Sequence, residues 1–278
     1  MSGFDPDWLK LREPVDHRSR AKNVLAALSA RFAARQSMVI VDLGCGTGSN
    51  LRGTAEHLPL AQHWHLVDAD ERLLAAARPR LSEWADQSKE GPGGFHLTKG
   101  QREIRVSFIK ADLNHDLVFP RLKPDLVTAA ALFDLVSEPF ARRFTDALAL
   151  ANIAFYTVLS YDGKAAWEPA DALDQRMLAL FNQHQQTDKG LGPALGPAAT
   201  DVLAGALKRH GFAILRGSSA WQLGAEDAAL TAAVTDGWAG AVSELGQLDP
   251  PAVQAWLKRQ RQARSCLVGH EDLLALPV

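Results

Sequence analysis

The segment Val41–Asn50, VDLGCGTGSN, sets Asp42, Gly44, Gly46 and Gly48 where an apolar run ends and a helical pattern begins. Glycines there let the backbone turn sharply and approach a ligand with no Cβ in the way. The helix that follows presents free N–H groups to the same space. Asp42 adds a negative charge suited to a ligand that carries an ammonium group. A dinucleotide-binding turn needs G-x-G-x-x-G. Counted from Gly44 the third glycine falls on Ser49, and counted from Gly46 it falls on Leu51. Neither frame fits, which speaks against a pyrophosphate ligand and a nicotinamide dehydrogenase.

Two further carboxylates stand at matching places. Asp68, followed by Ala69, closes LVDAD roughly 20 residues beyond the first turn, where a Rossmann-like site puts a carboxylate on ribose hydroxyls. Its alternative role is to cap the helix that starts near Asp70. Asp112 closes FIKADLN. A carboxylate there can accept an adenine amino group while the Leu113 backbone reads the ring edge; the alternative is a turn-forming Asp.

The elements that must position these residues follow from periodicity. Apolar residues at Val24, Leu25, Leu28 and Phe32 predict a helix within Asp16–Arg35. Met38–Leu43, His63–Asp70, Phe95–Asp112 (clearest at Ile104–Ile109), Pro124–Phe133 and Asn152–Tyr161 read as strands, with helices at Ser49–Leu58, Glu71–Asp86 and Pro139–Leu150. Gly91–Gly94 reads as a break. Helices at Asp171–Gln186 and Asp201–His210 precede a sixth strand at Phe212–Ser218, and two more helices precede a last strand at Ser265–Leu276. Strands alternating with helices predict an α/β fold with a parallel sheet covered on both faces.

The ordered set VDLGCGTG, LVDAD, IKADL and PDLVTAAALFDLVS resembles the class I S-adenosylmethionine (SAM)-dependent methyltransferase family, over about Ala21 to Ser160. The resemblance implies an enzyme with SAM as cofactor and a Rossmann-like, doubly wound, mostly parallel seven-stranded sheet with an antiparallel last strand. Gly44, Gly46 and Gly48 would border the amino acid part of SAM, with Asp42 nearby. Asp68 and Ala69 would hold the ribose, Asp112 and Leu113 the adenine, and Ala130 and Ala131 would lie near the methionine end. An N-terminal segment, WLKLREPVDHRSRA, would fold over the cofactor and bring Arg12 to its carboxylate; plain surface charge is the alternative. The chain departs from the simplest pattern in two helical insertions, which would line the acceptor site or form a homodimer surface. Its expected parts are an N-terminal helical segment (1–36), the SAM-binding core (37–162), a helical lid (163–211) and C-terminal strands with an insertion (212–278).

The acceptor side is less distinct. The Asn/Asp-Pro-Pro-aromatic signature of enzymes that methylate nucleobase or glutamine nitrogens is absent; Phe133 and Asp134 occupy that region, giving an apolar wall and one carboxylate able to orient or deprotonate an acceptor. In the lid, His184, Asp188 and Lys189 stand beside a loop with Gly190, Gly192 and Gly196. His184 is the best general base by residue type. Tyr161, Asp162 and Trp167 follow the fifth strand and would line the mouth. His57, His63 and His65 lack metal-ligand spacing, and no metal is expected.

Over 278 residues the net charge is −2, so there is no overall basic field to draw nucleic acid. The polar N-terminus MSGFDPDWLKLREP is unlike a secretory signal, and no apolar run is long enough to span a bilayer. Two cysteines, Cys45 and Cys266, give no disulfide framework and fit the cytoplasm. The reading is a cytoplasmic methyltransferase acting on a small-molecule acceptor. Its rivals are an RNA or protein methyltransferase and a SAM-binding regulator without turnover.

Overall fold

In the computed structural model, which describes residues 5–91 and 94–278, the N-terminal region forms two helices, α1 (Pro6–Ser19) and α2 (Lys22–Phe32). Asp5 caps α1 by accepting the Asp7 N–H at 2.9 Å. The single helix expected within Asp16–Arg35 is therefore broken at Arg20–Ala21. The cause is remote in sequence: the Ala21 N–H donates to the buried Asp272 carboxylate at 2.9 Å.

Next come β1 (Ser37–Leu43), α3 (Ser49–Thr54), β2 (Ala61–Asp68) and α4 (Glu71–Trp84). Beyond Ser37 the strand β1 is largely buried on both faces, as the apolar run Met38–Val41 suits in a parallel sheet. A hairpin of β3 (Gln87–Gly91) and β4 (Gly94–Lys99) then leads into β5 (Arg102–Lys110). The expected break at Gly91–Gly94 falls between β3 and β4, and its positions 92–93 lie outside the described residues.

The chain continues through α5 (Phe119–Leu122), β6 (Leu126–Ala130), α6 (Glu138–Ala151) and a long β7 (Ala154–Glu168). The insertion supplies α7 (Asp174–Gln185) and α8 (Ala199–Arg209), followed by β8 (Phe212–Ser218) and the short β9 (Trp221–Leu223). Two helices, α9 (Ala228–Leu245) and α10 (Pro250–Gln260), precede β10 (Ser265–Pro277).

The sheet order is β3-β4-β5-β2-β1-β6-β7-β10-β8, with β9 on β10. Strands β5, β2, β1, β6 and β7 run parallel, and β10 is antiparallel to both β7 and β8. This is the Rossmann-like sheet expected, extended from seven strands by the hairpin and β9. Strand β3 escapes a periodicity reading because Gln87–Glu90 is polar and exposed throughout. One core face gathers Leu28, Trp64, Leu81 and Trp238, the other Phe119, Phe133, Phe144 and Leu203. Among the described residues no helix is long and apolar enough to cross a membrane.

Candidate functional site

The carboxyl ends of β1, β2, β5 and β6 open into a cleft of about 670 Å³. Such crevices are where open α/β sheets bind ligands. Gly44, Gly46 and Gly48 all take left-handed φ angles, +62°, +54° and +77°, which a side chain would strain. Gly44 and Gly46 face the cleft. A Cβ at Gly46 would come within 3.2 Å of Leu9 on α1, so the first helix lies over the turn. Gly48 is not on the wall: it begins α3 and backs onto Arg52, Leu66 and Leu81.

Asp68 links the first two strand ends. Its carboxylate accepts the Gly46 N–H at 2.9 Å and the Asp70 N–H at 2.9 Å, which fixes its orientation at the cleft wall. Burial pushes this carboxyl above its ordinary range. Asp112 accepts the Asn114 N–H at 2.9 Å, and the Leu113 carbonyl accepts from Arg143 at 2.7 Å. Ala69, Asp112, Leu113, Ala130 and Ala131 share the cleft with Asp68. Asp68 also has the capping geometry's neighbour rather than the cap itself: Asp70 caps α4.

Asp42 is fully buried beneath the floor instead of on it. Its Oδ1 accepts from Asn50 at 2.7 Å, and the Asn50 carbonyl accepts from Arg20 at 3.0 Å. Arg20 also donates to Thr54 at 2.5 Å. Asn50 and Arg20 reach the cleft, whereas Asp42 acts through them. Arg20 is a site residue that sequence reasoning missed, because it lies inside the single helix expected within Asp16–Arg35.

Arg12 lines the cleft, and its guanidinium is held by Asp16 at 2.8 Å and lies 4.8 Å over the Trp221 ring. On the acceptor side, Leu132 and Leu135 line the cleft but Phe133 does not. Phe133 turns away into an aromatic cluster, 4.8 Å from Phe144 and 5.1 Å from Phe155. Asp134 is buried beside it, with one carboxylate oxygen lacking a protein partner. Burial pushes its carboxyl up to about 6, against the pull of Arg12.

Tyr161 and Trp167 are core residues as well. Tyr161 donates to Asn182 at 2.8 Å, and Trp167 packs edge-on against Trp238 and Trp256. Asp162 accepts the Lys164 N–H at 3.0 Å and likewise stays off the wall. Ala131, just past the end of β6, and Leu159, within β7, both line the cleft with positive φ, +50° and +59°. Non-glycine residues in that region carry strain that tends to gather at functional sites.

From the insertion, Lys189, Gly190 and Leu191 close the opposite rim. His184 stands one step back, accepting from the Lys189 amine at 3.1 Å and bonded to Glu244 at 2.8 Å.

Residues 40–151 match the family model described as a methyltransferase domain. These residues run from within β1 to the end of α6 and carry the glycine turn, Asp68, Asp112 and Ala130. No curated protein matches the chain. Among solved structures, the chain is similar to a Bacillus halodurans protein described as a candidate methyltransferase, at 14% identity and TM-score 0.52, covering 92% of this chain and 100% of the other. It is also similar to a cyclopropane-fatty-acyl-phospholipid synthase-like protein from Lactobacillus casei, at 16% identity, TM-score 0.51, and coverage of 94% and 91%. A third is the cyclopropane synthase MmaA2 from Mycobacterium tuberculosis, at 13% identity, TM-score 0.50, and coverage of 98% and 94%. At these identities the likeness is one of fold. The site fits SAM: a backbone cradle that a Cβ would crowd, and an oriented carboxylate one strand away.

Proposed function

We propose that this chain transfers the methyl group of SAM to a small-molecule acceptor held in the cleft. The observation that carries the reading is that one wall collects Gly44, Gly46, Asp68, Asp112, Leu113 and Ala130 from four parallel strands. Bound SAM supplies a methyl group made electrophilic by its sulfonium. The protein's part is alignment and exclusion of water.

In this reading Asp68 accepts the ribose hydroxyls, and its two backbone hydrogen bonds keep it aimed without rearrangement. Asp112 and the Leu113 backbone take the adenine edge. Arg12 and Arg20, entering from the α1–α2 region, supply positive charge for the methionine carboxylate. Leu9 and Leu191 cover the cleft from opposite rims and keep water out.

A small acceptor is supported by the charge around the rim. Arg72 is paired with Asp70 at 2.8 Å and Lys110 with Glu71 at 2.9 Å, so these cations form no free row for a phosphate backbone. The unpaired, buried cysteines suit a reducing cytoplasm.

Calorimetry with SAM and with S-adenosylhomocysteine tests the cofactor, and a metabolite screen for the mass gain of one methylene tests the acceptor. Failure of both nucleosides to bind at millimolar concentration would overturn the reading. Salt-dependent binding of tRNA would move the acceptor to nucleic acid, and tight SAM binding with no turnover would make the chain a regulator.

A further inference from the structure

Among the charged groups that line the cleft, most are already answered within the protein. Arg12 is held by Asp16, Arg72 by Asp70 and Lys110 by Glu71. Lys189 differs. Its amine donates to Nδ1 of the His184 ring across 3.1 Å.

That hydrogen bond has a definite sense. An ammonium only donates, so Nδ1 accepts and the ring proton sits on Nε2. Nε2 then donates to Glu244 Oε2 at 2.8 Å. In this arrangement the ring brings no negative charge to the amine, and the carboxylate that acts on it, Glu244, stands beyond the ring. An ammonium has three donors, and the ring occupies one of them.

The loop that carries Lys189 is anchored at several points. Asp188 accepts the Gly190 and Gly192 N–H groups at 2.6 and 3.1 Å. The Gly190 carbonyl accepts from Asn114 at 3.0 Å, and the Leu191 carbonyl accepts the Ser137 N–H at 3.2 Å. The amine is thereby held on a fixed frame at the cleft wall. The same cleft is lined by Leu9, Leu135, Leu159 and Leu191.

We propose that Lys189 recognises the acceptor, and that the acceptor is a small apolar molecule bearing an anionic oxygen, such as a carboxylate or phenolate. This rests on the methyltransferase reading above. Apolar walls favour the body of such a molecule, and a charge-assisted hydrogen bond from the amine fixes its oxygen. An anionic oxygen also brings its own lone pair and needs no base from the protein. His184 and Glu244 are positioning residues that hold the amine at the wall.

The test uses the full chain and three eight-carbon probes, octanoate, octanamide and octylamine, titrated calorimetrically with and without saturating S-adenosylhomocysteine. Octanoate is expected to bind about ten-fold tighter than octanamide, and octylamine weakest. Lys189→Met is expected to erase that preference and leave S-adenosylhomocysteine affinity unchanged; Lys189→Arg is expected to keep it. His184→Phe is expected to reduce the preference with the lysine still present. Equal binding of octanoate and octanamide, no octanoate binding, or a preference that survives Lys189→Met overturns the proposal. Loss of S-adenosylhomocysteine binding alone would instead sink the methyltransferase reading, since the probe titrations without it stand independently.

Discussion

Asn50 donates to Asp42 Oδ1 across 2.7 Å, and the same side chain accepts from Arg20 at 3.0 Å, so one amide joins a buried acid to a buried base. The acid carries an unusual proton balance. Burial pushes the Asp42 carboxyl up to about 7, against the Asn50 hydrogen bond and the Arg20 charge. In the unfolded chain it would sit near roughly 4. The folded state therefore keeps a proton that the unfolded state releases. The stability that proton contributes is complete below about pH 4 and is lost as pH rises through about 7.

Asp42→Asn should remove this dependence. Wild-type unfolding free energy should fall by up to about 1.4 kcal/mol per pH unit from this group over that window, and the variant should show a shallower slope. Asp134, pushed up to about 6, acts in the same direction and stays in both proteins. Urea titrations at several pH values between about 4 and 8 decide the matter; parallel slopes would rule out a raised Asp42.

Gly46→Ala and Gly240→Ala should act in opposite directions. Gly46 has φ +54° and a Cβ there meets Leu9 at 3.2 Å. A left-handed alanine costs about 1–2 kcal/mol, and moving Leu9 disturbs the cleft cover. Gly240 is an exposed position inside α9 whose Cβ meets nothing within 4 Å. Alanine there should stabilise by about 1 kcal/mol. Melting temperatures of the two variants check the signs, and SAM calorimetry should weaken for Gly46→Ala only.

Much of the core was legible because parallel strands buried on both faces leave mainly apolar runs, as at Met38–Leu43 and Leu126–Ala130, and because glycine or acid stands at the ligand ends of β1 and β2. That logic brought Gly44, Gly46, Asp68 and Asp112 to one wall. It could not tell Phe133 from Leu132 and Leu135, because all are apolar and a short 3-10 turn decides which one faces the cleft. The break between α1 and α2 was hidden for another reason: both sides read as helix, and the interruption comes from Asp272 on the last strand. His184 was singled out by residue type, whereas the fold puts Lys189 between it and the cleft.

Asp272 bridges two distant segments, accepting the Ala21 N–H through Oδ2 and the Leu159 N–H through Oδ1, each at 2.9 Å. It is fully buried, so its removal leaves two interior donors without partners. Asp272→Ala should cost about 3 kcal/mol, with Asp272→Asn milder because one acceptor oxygen survives. Leu159 lines the cleft in a left-handed conformation, so ligand affinity should drop along with stability. Chemical denaturation of both variants tests this, and an Asp272→Ala protein as stable as wild type would show that the bridge contributes nothing.

Asp68 offers the sharpest separation of binding from stability. Its carboxylate already accepts the Gly46 and Asp70 N–H groups, so its orientation precedes any ligand. Hydrogen bonds to a charged group are worth about 1.5–3 kcal/mol, which corresponds to roughly ten- to a hundred-fold in affinity. Asp68→Ala should therefore weaken S-adenosylhomocysteine by that factor. Asp68→Asn keeps one acceptor oxygen but turns the other into a donor facing either a backbone N–H or the ligand, so it should recover little. Folding should survive in both, because the Gly46 and Asp70 N–H groups lie at the cleft edge, where water can replace the carboxylate. Calorimetry at matched pH measures the affinities and circular dichroism checks the fold; a folded Asp68→Ala protein that binds the nucleoside like wild type would place the ribose elsewhere.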